Sequence, residues 1–241
     1  MEPVLITDNL SKIYKGHKAI EDVNITLNRG EIYGLIGENG AGKTTLIKLM
    51  TGFIKPSFGS VIFPTLNDDV KYGKGLGVTI EKPGLIPNFT AFDHVRAKGF
   101  LYGCSYIEMK SCLELVSLIS DADTKVKNFS MGMKQRLAIG LTLLGNPEIM
   151  LFDEPINGLD PQGIKWFRDL ILNLNTEKNV TFMLSSHILS ELRLVVTKYV
   201  FIHQGKLLLE ISTEDLEYYC ENNNITLENF YLKLIQGEIN L

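Results

Sequence analysis

An α/β fold with a mostly parallel sheet is predicted for this chain by three features. Residues 31–36 form a short apolar run that passes into Gly37-Glu38-Asn39-Gly40-Ala41-Gly42-Lys43-Thr44 and then into an apolar-periodic stretch at 45–50, which is the order strand, loop, helix. Residues 149–152 and 180–184 are continuously apolar, as parallel strands covered on both faces are. Between them, residues 161–174 read as a helix opened by Pro161, and a doubly wound core follows.

The remaining elements fall around that core. Residues 4–7, 23–27 and 31–36 are β-type runs, the last entered through the turn Asn28-Arg29-Gly30, and predict an N-terminal antiparallel β subdomain that feeds the glycine loop. Residues 60–63 and 75–80 are further strand candidates. From about 88 to 145 the pattern becomes helical. Thr90 with Asp93 and Ser105 with Glu108 have capping-box spacing, and Ser130 is placed as the N-cap of an apolar helix reaching about Leu144. This stretch is an inserted α-helical subdomain, and the tail from about 211 to 241 reads as two short helices. Without internal repeats or low-complexity linkers, residues 1–241 are expected to form a single domain.

Bulk composition narrows the function classes. A 241-residue chain with 45% hydrophobic and 22% charged residues is an ordinary folded one. With a net charge of -4 and its basic residues dispersed, it lacks the dense positive face of nucleic-acid binders, so no nucleic-acid partner is expected. Cys104, Cys112 and Cys220 form no C-x-x-C pair or zinc spacing and read as reduced packing residues of a cytosolic protein. No run approaches the roughly 18 apolar residues of a membrane span, and the N-terminus has no secretory pattern. Work at a membrane therefore implies docking on another polypeptide.

The chemistry concentrates at the loop and at strand ends. Its glycines let the backbone wrap phosphate oxygens while the following helix directs its positive end at the same charge. Lys43 is expected to reach the β- and γ-phosphates, and the Thr44 hydroxyl to ligate Mg²⁺. The bland alternative is a turn that caps a helix and binds nothing. Asp153-Glu154 follows a buried strand, at the edge where open α/β sheets bind ligands. Asp153 suits holding Mg²⁺ or its water, and Glu154 suits orienting and deprotonating the water that attacks the γ-phosphate; a solvated or helix-start pair is the alternative. His187, also at a strand end, is either a structural histidine or a γ-phosphate contact. The helix start at Ser130 is a second anion site.

Together these residues resemble the ATP-binding subunit of ABC transporters over essentially the whole chain. Residues 37–45 resemble Walker A, 149–154 Walker B, 130–134 the signature motif, 157–160 the D-loop, and His187 the switch histidine. The resemblance implies the ABC ATPase fold, a P-loop NTPase core carrying the two subdomains described above. It also implies ATP contacts at Gly37, Asn39, Gly40, Ala41, Gly42, Lys43, Thr44 and Thr45, with Asp160 in the D-loop. Tyr14 would stack on adenine, although by residue type alone it could equally be a packing tyrosine. Two cassettes, as a homodimer or an unlike pair, would close head to tail over two ATP molecules, with Ser130 and Gly132 of one facing the γ-phosphate held by Lys43 of the other.

Two departures stand out. Glu81 occupies the position of the usual Gln that senses Mg²⁺ and the membrane partner, and a carboxylate there can still bind Mg²⁺ or water. Met131 replaces a signature glycine in Phe129-Ser130-Met131-Gly132-Met133. With Pro83-Gly84 and the run from Gly132 to Arg136, these features resemble the bacitracin-resistance and lantibiotic-immunity branch. The function so implied is an ATPase at the cytoplasmic face of the membrane, powering a separate multi-spanning permease for export of a peptide antibiotic or similar compound. The rivals are a soluble cassette acting on ribosomes or nucleic acid, and a small-molecule kinase.

Overall fold

The computed structural model describes residues 2–65, 75–80, 84–187 and 192–239. Strands β1 (Pro3–Tyr14), β2 (His17–Val23) and β3 (Thr26–Asn28) come first, then β4 (Ile32–Ile36) and helix α1 (Lys43–Met50), then β5 (Phe58–Ile62). β1 pairs antiparallel with β3 near its start, with β5 in its middle and with β2 near its end. The predicted antiparallel subdomain is therefore present, but β1 runs well past residue 7. Polar residues at Asp8, Asn9 and Lys12 hide that length, and the hairpin to β2 turns on Lys15 and Gly16, both at positive φ (47° and 86°), the geometry of a type I′ turn.

The second sheet adds β6 (Leu76–Thr79), β7 (Ile149–Phe152), β8 (Thr181–Ser186), β9 (Lys198–His203) and β10 (Lys206–Ser212), in the order β10-β9-β4-β8-β7-β6. Its neighbours are parallel except for the β9–β10 hairpin, which the sequence reading missed. Side chains alternate between two apolar layers. Ile32, Ile36, Met150, Phe152, Phe182, Leu184, Tyr199 and Phe201 face α5 (Pro161–Lys178), α6 (Thr213–Asn222) and α7 (Leu227–Ile235). Tyr33, Leu35, Ile149, Leu151, Met183, Val200 and Ile202 face α1 and the antiparallel sheet. Both faces are covered, which is why these strands read as continuous apolar runs; each such aliphatic or aromatic side chain contributes about 1.5–3 kcal/mol on burial.

A third apolar cluster belongs to α2 (Ala91–Tyr102), α3 (Tyr106–Leu115) and α4 (Met131–Leu143). Thr90–Asp93 and Ser105–Glu108 form the two predicted capping boxes, worth on the order of 1 kcal/mol each. α4 ties this lobe to the sheet, with Leu137 in the helical cluster and Ile139 in the sheet cluster. The Trp166 indole N–H donates to the Leu115 carbonyl (3.1 Å), and Arg136 lies over the indole ring. All three cysteines are free thiols, and burial pushes the Cys112 thiol up to about 12. No helix among the described residues is long and apolar enough to cross a membrane.

Candidate nucleotide site

Strands β4, β8 and β7 lie side by side and parallel, so Ile36 aligns with Ser186 and Phe152 with Leu184. Their C-terminal ends deliver the glycine loop, His187 and Asp153-Glu154 to one edge. Gly42 enters α1 at φ 110°, where a Cβ would also meet the Ala19 carbonyl at 2.8 Å, so only glycine fits. A Cβ on Gly37 would lie 2.6 Å from the Ile202 carbonyl. Among the described α-helices, α1 alone has no side-chain cap. Thr90, Ser105, Ser130, Asp160, Ser212 and Thr226 each accept an N–H at the start of another helix. The open first turn of α1 presents its N–H donors to an anion.

The resulting cleft has a volume of about 420 Å³ and is lined by Asn39, Gly40, Gly42, Lys43, Thr44, Thr45, Glu154 and His187, together with His17, Ala19, Glu38 and Asn157. Lys43 is 6% exposed; its ammonium donates to the Gly37 carbonyl (2.6 Å) and lies 3.4 Å from Glu154 Oε1. His187 Nδ1 lies 3.0 Å from Glu154 Oε2. Glu154 is thus a carboxylate between a fixed cation and an imidazole at the mouth of an anion cradle. The Thr44 hydroxyl donates to Asp153 Oδ2 (2.6 Å), and Asp153 is 1% exposed. No group of three or more His, Cys, Asp or Glu among the described residues converges into a metal cage. A hydroxyl beside one carboxylate instead suits a hard cation that takes its other ligands from water and phosphate.

The loop is braced from outside. Gly205, in the β9–β10 turn, donates its N–H to the Ala41 carbonyl (2.8 Å). The Tyr231 hydroxyl on α7 accepts the Glu38 N–H (3.2 Å), with its ring stacked on Phe201. Gly37 and Ala41 therefore shape the loop rather than line the cleft.

The other predicted residues lie elsewhere on the chain. Tyr14 ends β1 opposite His17, 45% exposed, with the Lys12 ammonium 5.1 Å from its ring centre; His17, not Tyr14, lines the cleft. Ser130 caps α4 by accepting the Met133 N–H, and Gly132 packs toward the Gly158 carbonyl. Asp160 caps α5 through the Gly163 N–H (2.8 Å). Met131 is 67% exposed beside Gly158. Glu81 lies outside the described residues. Sequence reasoning missed His17, Ala19, Glu38 and Asn157 as cleft residues. Asn157 carried a signal, sitting three residues after Glu154, whereas His17 and Ala19 arrive through the hairpin.

Comparison with known proteins gives the family. Residues 20–157 match the family model described as ABC transporter. The chain is 41% identical over 224 residues to the bacitracin transport ATP-binding protein BcrA of Bacillus licheniformis, covering 90% of this chain and 72% of the relative. It is 37% identical to the lantibiotic transport ATP-binding protein SrtF of Streptococcus pyogenes, covering 93% and 99%. Among solved structures, an ATP binding subunit of an ABC transporter superposes with a TM-score of 0.86 at 28% identity, covering 96% and 99%. A dimeric post-hydrolysis cassette, MJ0796 bound to ADP and Pi, superposes with a TM-score of 0.79 at 25% identity, covering 87% and 98%. The open cradle of α1, the acids at the end of β7 and these matches together make this chain an ATP-binding, ATP-hydrolysing subunit of the ABC transporter family.

Proposed function

We propose that this subunit binds MgATP in the cleft above α1, closes head to tail on a second cassette, and uses hydrolysis to drive a separate membrane permease that exports a peptide antibiotic or similar amphipathic compound. The observation that carries the reading is the placement of the Glu154 carboxylate, 3.4 Å from Lys43 and 3.0 Å from His187, over an uncapped helix start. The N–H groups of the loop and the Lys43 ammonium hold the phosphates; on ATP binding, Lys43 exchanges its contact with the Gly37 carbonyl for phosphate oxygens. Glu154 orients a water and takes its proton as the water oxygen bonds to the γ-phosphorus. The bond to the β–γ bridging oxygen breaks, and ADP leaves with the electron pair. His187, bonded to Glu154, contacts the γ-phosphate. Thr44 and Asp153 would hold Mg²⁺, which would supply charge neutralisation at the phosphates.

Ser130 and the first N–H groups of α4 lie apart from this chain's own cleft, which supports their serving a nucleotide on the second cassette, with Asp160 shaping the loop between. The permease docks near the helical lobe and holds the subunit at the cytoplasmic face of the membrane. Bacitracin and lantibiotic transport belong to the relatives by name, and both favour transport over a ribosomal or nucleic-acid role. The test is Glu154→Gln: ATP affinity is retained, turnover falls about 10²- to 10³-fold, and a nucleotide-bound dimer accumulates. Undiminished phosphate release by that variant removes Glu154 from its role. Co-purification with a multi-spanning protein, and lost bacitracin or lantibiotic tolerance on deletion, test the transport assignment.

A further inference from the structure

We propose that Ser185 is a positioning residue that sets both acidic groups of the site through one hydroxyl. Ser185 lies in β8, two residues before His187, and is 0% exposed. Its hydroxyl donates to Asp153 Oδ1 (2.7 Å) and accepts the Glu154 N–H (2.9 Å). A hydroxyl has a single proton, so the two bonds fix its direction: proton to Asp153, lone pair to Glu154.

The two partners need such a fixture for different reasons. Glu154 is a non-glycine residue at φ 49°, a left-handed conformation that persists only where neighbouring groups over-determine it. Its N–H is the group nearest the strain, and Ser185 is the partner of that N–H. Held there, the backbone points the Glu154 side chain at Lys43 and His187. On the other side, pinning Asp153 Oδ1 leaves Oδ2 facing the Thr44 hydroxyl. Thus β8 registers the carboxylate assigned to Mg²⁺ against the carboxylate assigned to water, and both against the glycine loop of the adjacent strand β4. An alanine here leaves a part-buried N–H and a buried carboxylate oxygen each short of a partner.

This inference rests on the roles given to Asp153 and Glu154 above, so the experiment carries Glu154→Gln alongside. The full chain is prepared as Ser185→Ala, Ser185→Thr and Ser185→Val, the last two sharing a shape and differing in the hydroxyl. Steady-state kcat and KM for MgATP are measured together with the Kd of a fluorescent ATP analogue. Ser185→Ala and Ser185→Val are expected to lose kcat about 10- to 100-fold, with KM and Kd within about threefold, because the phosphate donors are untouched while the attacking geometry is loosened. Ser185→Thr restores turnover to within about threefold of the parent. Retained nucleotide affinity certifies the fold of each variant; if the β-branched pair does not fold, Ser185→Ala alone decides. The proposal is overturned if Ser185→Ala turns over like the parent, if Ser185→Thr is as slow as Ser185→Val, or if the loss lies wholly in KM. Parent-level turnover by Glu154→Gln overturns the underlying roles instead, whatever the Ser185 variants do.

Discussion

Gln135 is a buried amide on the core-facing side of α4, 8% exposed, and its side-chain N–H donates to the Pro155 carbonyl at 2.8 Å. That carbonyl belongs to the residue after Glu154, so the helix capped by Ser130 grips the strained turn that carries the carboxylate. Gln135→Leu keeps the volume, removes the donor and leaves a buried carbonyl unpaired; the gain from apolar burial returns part of the loss, for a net of about 1–2 kcal/mol. At about 2–4 °C per kcal/mol for a chain of this size, Tm falls by roughly 2–8 °C. Turnover falls about tenfold as the turn relaxes, with the KM for ATP little changed. Gln135→Glu separates hydrogen bonding from packing. The neutral acid can still donate to the Pro155 carbonyl, whereas the ionised acid faces it with charge. Its pKa in the folded state is therefore raised above the unfolded value, and the stability held at low pH is lost as pH rises through the folded pKa. Scanning calorimetry should find Gln135→Glu closer to the parent at pH 5 than at pH 8, and below Gln135→Leu at pH 8. A Gln135→Leu protein with unchanged Tm and turnover, or a Gln135→Glu deficit independent of pH, refutes the argument.

Tyr231→Phe removes the brace that α7 places on the glycine loop; ATP affinity, measured by titration with a fluorescent analogue, should weaken about three- to fivefold, or ~1 kcal/mol, and unchanged affinity would detach α7 from the site. Lys98 has its pKa lowered to about 8, chiefly by burial. The folded state therefore disfavours its charge, a cost fully present below about pH 8 and relieved as pH rises toward the unfolded value. Lys98→Met should raise Tm by a few degrees at pH 7, and its advantage should shrink as pH rises from 8 toward 10; an advantage that grows with pH contradicts this. Mixing Lys43→Ala chains with Ser130→Arg chains tests head-to-tail closure. In a two-fold dimer each mixed pair keeps one intact site, and half of random pairs are mixed, so about a quarter of parental hydrolysis should return from two inactive stocks. No recovery in the mixture rules out a site shared across copies.

The parts of this site that were legible in the sequence are those whose chemistry is local. The glycine loop, the caps at Thr90, Ser105 and Ser130, and the apolar runs of β7 and β8 each depend on residues a few positions apart, and the structure forms all of them. Three residues whose contacts carry no sign in the sequence, Ser185, Gln135 and Tyr231, act across long separations. Ser185 meets Glu154 from 31 residues away, Gln135 meets Pro155 from 20, and Tyr231 meets Glu38 from 193. No periodicity encodes such pairs, since a serine in a buried strand and a glutamine in a buried helix look like packing exceptions until the strands are ordered. The β1–β2 and β9–β10 hairpins escaped for another reason. Their turns, Lys15-Gly16 and Gln204-Gly205, place a long side chain in the left-handed region where Asn or Asp is the usual signal.

Ser185, Gln135 and Tyr231 share a physical pattern that bears on the geometry of the site. Each is a polar group inside an apolar layer, and each spends its hydrogen bond on the backbone or carboxylate of a loop at the sheet's C-terminal edge. Ser185 reaches that edge from β8, Gln135 from the helical lobe and Tyr231 from the C-terminal helices. The acidic turn is consequently attached to two bodies, the sheet and the helical lobe, while the glycine loop is attached to the sheet and the tail. A shift of the helical lobe relative to the sheet must either break the Gln135–Pro155 bond or drag Pro155, and with it Glu154, along. Because interiors this dense do not deform continuously, lobe position and carboxylate position change together. A permease seated on the lobe, as proposed above, would thereby bias the Glu154 carboxylate proposed to orient the water.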